Sequence, residues 1–208
     1  MVNTMQLRKV LGWLGMLLPW IVAILYMVFQ VGRFEFPHSI SATYYYQCCV
    51  APFMIILGSS CILLICYKGY DEVDDVVCTI AGVLGLGVCF FPCMNSNNIP
   101  EQVGIFMVSQ NVSNWIHTAC AMTFFVLLAF NSLFLFTKTS GEMTEEKRKR
   151  NIIFKVCGIG MVASFLLLLL PNTLTFKVWL VEAIALMFFG ISWLTKSQCY
   201  SWLFKDKE

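Results

Sequence analysis

Charge is what this sequence has least of. Of its 208 residues only 12% are Asp, Glu, Lys or Arg, against about 25% in a soluble domain. Hydrophobic residues make up 59%, and mean hydropathy is +0.75. Water cannot cover that much apolar surface, so a soluble Rossmann, TIM-barrel or sandwich enzyme is excluded and a bilayer is the natural solvent. A net charge of +2 gives no extended basic field, which excludes nucleic-acid binding as a main task. Histidine is scarcer still. The only two, His38 and His117, cannot make a three-histidine metal site of the alkaline-ceramidase type, although two histidines and Glu182 could form a weaker one. His38 falls in a loop, which argues against a bis-histidine haem within the helices. There is no CxxC pair to hold zinc and no GxSxG elbow. No metal and no cofactor are expected.

What the chain does have is long apolar runs. A transmembrane helix needs about 20 mostly apolar residues, and six stretches qualify: Leu11–Val31, Cys48–Tyr67, Val76–Met94, Trp115–Thr137, Ile152–Leu170 and Val178–Thr195. Little chain remains for anything else. The expected fold class is therefore all-α, a polytopic six-helix bundle forming one transmembrane domain over residues 1–208. Arg8 and Lys9 precede the first run as in a signal peptide, but the run is too long and no small-residue cleavage site follows, so it is expected to stay as an anchor.

Orientation follows from Lys and Arg. With the N-terminus inside, twelve of the fourteen fall on the cytoplasmic side and only Arg33 and Lys177 lie opposite. The expectation is both termini cytoplasmic, with Trp13, Trp115, Trp179 and Trp193 as interfacial anchors. Length and short tails suggest a bacterial inner membrane. Most of the ten cysteines lie within spans, where a free thiol acts as a small hydrophobe. Cys48, Cys49 and Cys93 fall near the outer surface, where a bridge from Cys93 to either neighbour is open.

The connections differ. The first outer loop, Gly32–Gln47, is aromatic and should pack on the bundle mouth. The second, Asn95–Asn114, is polar, and Asn95-Ser96-Asn97-Asn98 with Pro100 argue against regular structure. Inside, Thr144 before Glu145-Glu146 reads as a helix N-cap. Asp74 and Asp75 open span three and complement its dipole. The Lys147-Arg148-Lys149-Arg150 run serves topology or meets anionic headgroups, and Asp71 in Tyr67-Lys68-Gly69-Tyr70-Asp71 could join a headgroup or partner contact. Ala81-Gly82-Val83-Leu84-Gly85-Leu86-Gly87 lies mid-membrane and reads as close helix packing, not a phosphate loop.

Ionisable groups in hydrocarbon are expensive and each needs a reason. Lys155 can snorkel from the fifth span's cytoplasmic end. His117 and Glu182 share one outer layer of the bilayer. His117 and Asn131 are fourteen residues apart, nearly four turns, so they share a stripe that should face protein. His117 and Glu182 are expected to meet inside the bundle, with His38, Ser39, Ser41 or Tyr44 of the first outer loop as lid. Either the pair is a structural hydrogen bond between helices, or the cluster is a ligand site. A hydrolase could use Ser39 or Ser41 as nucleophile, His117 as base and Glu182 as orienter. A transporter finds little support, with neither a clear repeat nor a charged midplane residue.

The Pro37-His38-Ser39-Ile40-Ser41-Ala42-Thr43 loop, the Tyr67–Asp71 motif and Ile116-His117 opening span four resemble the DRAM/Frag/Sfk-type membrane proteins and their bacterial relatives. That resemblance implies six helices with cytosolic ends, roles in lipid handling or membrane organisation, and no catalytic mechanism. Ser39-Ile40-Ser41, Asp71 and His117 are the elements it would share, while Thr43-Tyr44-Tyr45-Tyr46 departs from the family's first-loop pattern. The expected function is a non-enzymatic lipid-interacting or membrane-organising protein, with an intramembrane lipid hydrolase or transferase second and a small transporter or channel third. Membrane lipids are the expected partners, and a homo-oligomer stays open.

Overall fold

The computed structural model describes residues 4–95, 101–139, 141, 143–171 and 174–199. Six α-helices run through them: α1 (Thr4–Leu25), α2 (Gln47–Ile65), α3 (Glu72–Phe90), α4 (Gln110–Phe130), α5 (Glu145–Leu166) and α6 (Lys177–Lys196). A π-helical turn extends α1 over Tyr26–Val31 and α4 over Asn131–Leu135, and a 3-10 turn extends α5 over Leu167–Leu169. All six are long and apolar enough to cross a membrane.

All six begin earlier than the apolar runs, and for α3, α4 and α5 there is a local reason. Asp71 accepts from the Asp74 amide at 3.1 Å, Ser109 from Val112 at 3.4 Å and Thr144 from Lys147 at 3.2 Å. A side-chain oxygen that satisfies an orphan first-turn N–H starts the helix at the polar residue, several positions before hydropathy rises. The second long loop, expected to lack regular structure, carries a short antiparallel hairpin of β1 (Gln102–Val103) and β2 (Val108–Ser109). Gly104 and Met107 turn it with positive φ of 75° and 49°. Of its Asn-rich start, residues 96–100 lie outside the described residues.

Each helix packs on its chain neighbours, and α1 closes the ring against α6. The most enclosed helix is α6: 61% of its apolar window is buried, against 28–39% for the others. Between helices in lipid there is little hydrophobic driving force, so close approach of backbones matters most. A Cβ on Gly190 of α6 would stand 2.6 Å from the Gly12 carbonyl of α1, and one on Gly82 of α3 would stand 2.5 Å from the Cys61 carbonyl of α2. The small-residue stripe of α3 is thus a packing surface.

The thinnest seam is between α4 and α5. It is tight where the π turn after α4 meets α5, with Ser132 Oγ donating to the Phe154 carbonyl at 2.9 Å, and opens toward the far half of both helices. Two ends can be distinguished. The terminal end carries the start of α1, the end of α6 and the loops at 66–71 and 136–144. The loop end carries the loops at 32–46, 91–109 and 170–176. Trp13 and Trp115 are exposed, but Trp179 and Trp193, expected as anchors too, are buried at 2% and 1% and belong to the core. They sit on α6, the innermost helix, which sequence hydropathy cannot single out.

Candidate functional site

The polar stripe of α4 faces α3. Ser113 Oγ donates to the Pro92 carbonyl at 2.7 Å, His117 Nδ1 donates to the Phe91 carbonyl at 2.7 Å, and Asn131 Nδ2 donates to Cys78 Sγ at 3.1 Å. The first two bonds satisfy carbonyls just past the end of α3, where a helix leaves acceptors without partners. Because the carbonyl can only accept, the proton is assigned to Nδ1, and a neutral ring then carries its lone pair on Nε2.

Glu182, in the second turn of α6, holds the first loop. Its Oε2 accepts from the Ile40 amide at 2.6 Å, while the Trp179 amide donates to the His38 carbonyl at 3.0 Å. Those two bonds strap residues 38–40 across the start of α6. Phe36 adds ring contacts with Trp179 at 4.3 Å and Phe176 at 5.3 Å. Ser39 Oγ accepts from the Ala42 amide at 2.9 Å, tying the loop to the 3-10 turn Ser41–Tyr45. The aromatic loop therefore packs on the bundle mouth.

His117 and Glu182 do not pair. Among the described residues neither a hydrogen bond nor an ion pair joins them; each is spent on a different backbone segment. The reason is the chain ends: α3 leaves a carbonyl bare next to His117, and the loop brings an amide to Glu182. The orienting bond that a serine hydrolase needs between base and carboxylate is therefore missing here.

They do share a cavity. A space of about 270 Å³ opens at the loop end, lined by His38, Ser39, Ser41, His117 and Glu182 together with Cys93, Thr118 and apolar side chains of α4, α5 and α6. Glu182 retains open surface there, with one carboxylate oxygen engaged by Ile40. Ser41 is 7% exposed, and among the described residues its hydroxyl has no hydrogen-bond partner. His38 is exposed at the rim. Cys93 lies beside Ser39 and within the field of Glu182. It is a free thiol, as are the other nine cysteines, so the bridge to Cys48 or Cys49 is not formed.

No protein-family model, curated protein or solved structure matches this chain.

Tyr44 is the exception among the expected lid residues. It packs against the core and edge-on to Tyr45 at 5.4 Å, outside the cavity lining. The polar work falls to its neighbour: Tyr45 Oη donates to the Cys93 carbonyl at 2.6 Å. Burial pushes the Tyr45 hydroxyl up to about 12, so it stays a donor at any ordinary pH. A run of three tyrosines offers no signal as to which one turns inward. Thr118 was equally hidden, while Cys93 stood out only as a cysteine near the outer surface and not as a residue of the cavity.

Next to the polar cavity lies an apolar crevice of about 290 Å³ between α4 and α5. Met122, Phe125 and Phe165 line both spaces, and Val126, Met161, Val162, Leu166 and Leu169 complete the crevice. Its rim is open, with Val126 60% and Leu169 82% exposed.

At the terminal end the expected headgroup residues separate into three groups. Asp71 pairs with Lys138 Nζ at 2.7 Å, and Arg148 with Glu145 at 3.3 Å. Lys149 is exposed. Lys147 and Arg150 are half-buried and turn toward the bundle; Lys147 Nζ donates to the Phe136 carbonyl at 2.8 Å. Acidic Asp74 is 1% exposed and fully engaged, by Lys138 Nζ at 2.9 Å and the Tyr70 amide at 2.9 Å.

Proposed function

We propose that the chain is an integral membrane protein that binds the polar head of a membrane lipid in the loop-end cavity and its acyl chain in the α4–α5 crevice. The observation that carries this reading is the adjacency of the two spaces, which share Met122, Phe125 and Phe165 in their linings. An amphiphile needs a polar compartment and an apolar one that communicate, with the apolar one open sideways to lipid. The crevice lining extends from Met161 to Leu169, about 12 Å along the helix at 1.5 Å per residue, or nearly half the hydrocarbon thickness. Ser41 and the second oxygen of Glu182 are the groups left to meet the head. Binding without turnover is favoured, because His117 and Glu182 are committed to separate backbone partners. The excess of Lys and Arg at the terminal end supports an orientation with both termini in the cytoplasm. A role in lipid handling also agrees with the resemblance to DRAM/Frag/Sfk-type proteins.

The test is lipid retention. The protein, extracted with native lipids, is examined by native mass spectrometry as wild type, Ser41→Ala, Glu182→Gln and Val126→Trp. Wild type should carry a bound lipid; Val126→Trp, which fills the crevice from its rim, should lose it, and the two cavity variants should lose it in part. A wild type that carries none, or retention equal in all four proteins, refutes the reading.

A further inference from the structure

The terminal end has a floor of aromatic rings: Tyr67 edge-on to Trp193 at 4.9 Å, Trp193 to Phe136 at 5.1 Å, and Phe136 to Phe154 at 5.4 Å. Cations from three helices sit over it. Arg8 of α1 lies 5.5 Å from the Tyr67 ring centre, Lys196 of α6 4.9 Å from Phe136, and Lys147 of α5 5.7 Å from Phe154. Arg150, one turn along α5, joins them: Lys147, Arg8 and Arg150 all stand close enough to act on Lys196 through their charge.

The acid among the described residues that acts on Lys196 through its charge is Asp74, and both its oxygens are already engaged, by Lys138 and by the Tyr70 amide. Among the described residues no ion pair reaches Arg8, Lys147, Arg150 or Lys196, whereas Lys68, Lys138 and Arg148 all have one. Ring faces ease a cation only modestly. The Nε atoms of Arg8 and Arg150 and the Tyr67 hydroxyl are enclosed and, among the described residues, have no hydrogen-bond partner. Enclosed donors are nearly always satisfied, and like charges brought together are costly, so these atoms point to a missing acceptor with negative charge.

We infer that Arg8, Lys147, Arg150 and Lys196 form a binding site for a phosphomonoester dianion. Two guanidinium groups match the fork geometry of a phosphate, and two ammonium groups add point charge. The dianion is supplied by a lipid headgroup at that membrane face or by free phosphate. The inference does not depend on the loop-end cavity. It also divides the basic run: Lys147 and Arg150 face the site, while Arg148 and Lys149 stay outside it.

The experiment places the full chain in nanodiscs of phosphatidylcholine alone, with phosphatidic acid, or with phosphatidylserine matched for surface charge, and separately titrates inorganic phosphate. Melting temperature and binding are read for wild type, Arg150→Gln, Lys196→Gln and the double variant Arg148→Gln/Lys149→Gln. Phosphatidic acid should stabilise wild type beyond phosphatidylserine. Arg150→Gln and Lys196→Gln should each weaken that binding about tenfold, and the double variant less than twofold. In phosphatidylcholine alone Lys196→Gln should melt no lower than wild type, because it relieves repulsion. If phosphate reproduces the effect of phosphatidic acid, the free ion is the source; if only the lipid acts, the headgroup is. Equal response to both anionic lipids with equal loss in the double variant, or no response to any anion, overturns the assignment. So does a Lys196→Gln protein less stable without anion, since the lysine would then be a structural cap on Phe136.

Discussion

The two ends of this bundle handle scarce polar groups in opposite ways. At the loop end side chains are spent on backbone: His117 on Phe91, Ser113 on Pro92, Glu182 on Ile40, and Lys177 on the carbonyls of Leu168 and Leu170. These bonds hold loops in place and leave a void between them. At the terminal end charges meet charges, Lys138 with Asp71 and Asp74 and Lys68 with Asp75, and aromatic rings fill the space. A strap of single hydrogen bonds can frame a cavity. An ion-pair cluster closes one, and beside it Arg8, Lys147, Arg150 and Lys196 have no ion pair among the described residues.

The largest effect expected from breaking this contrast is at Asp74. Alanine there leaves the Tyr70 amide without its acceptor and Lys138 with Asp71 alone, and unfolding free energy should fall by about 3 kcal/mol for the two charge-assisted bonds lost. Glu182→Ala comes next, at about 2 kcal/mol, because the Ile40 amide loses its acceptor. Glu182→Gln keeps an oxygen for that amide and should cost clearly less. Melting in detergent followed by tryptophan fluorescence ranks all three. If Glu182→Ala is silent, the Ile40 bond contributes nothing and the loop is held by Phe36 and the Trp179–His38 bond.

How much of this was legible in the residues depends on what each signal reports. Hydropathy finds apolar runs, so six helices were readable, but not their polar starts, which Asp71, Ser109 and Thr144 set through single hydrogen bonds. Helical periodicity placed His117 and Asn131 on one stripe, and both are buried against α3. Periodicity reports a face, not a partner: that His117 would meet a helix-end carbonyl, and Glu182 a loop amide, depends on where α3 stops and the loop lands. The same limit hid the quartet. Arg8 and Lys196 are far apart in sequence, and only the closure of α1 on α6 brings them together, with Arg8 Nη1 donating to the Lys196 carbonyl at 3.4 Å.

A double-mutant cycle sharpens the contrast at the loop end. His117→Ala should cost about 1 kcal/mol, the worth of one hydrogen bond to a helix-end carbonyl. Because His117 and Glu182 hold different segments, the two losses should add within about 0.5 kcal/mol. A larger coupling would mean that the imidazole and carboxylate meet after all and would reopen the base-and-orienter arrangement.

The smallest effect separates the ends by pH. The Lys138 ammonium holds the Asp71 carboxyl below its ordinary 3.8, helped by the Asp74 amide, and the Asp71 carboxylate raises Lys138 above its ordinary 10.5. For a lowered acid, the contribution to stability is present above the unfolded value and is lost as pH falls through the folded one. For a raised base it is present below 10.5 and is lost as pH rises through the folded value. The pair therefore supports the fold across the neutral range and fails at both extremes. Asp71 is solvent-exposed, so screening keeps the effect small. Asp71→Asn should lower the melting temperature slightly at pH 7 and by less at pH 3, where the wild type is losing the same interaction. High salt should shrink the difference. Equal melting temperatures for the two proteins at both pH 7 and pH 3 would show that Asp71 acts only as the helix cap of α3, a role asparagine fills as well.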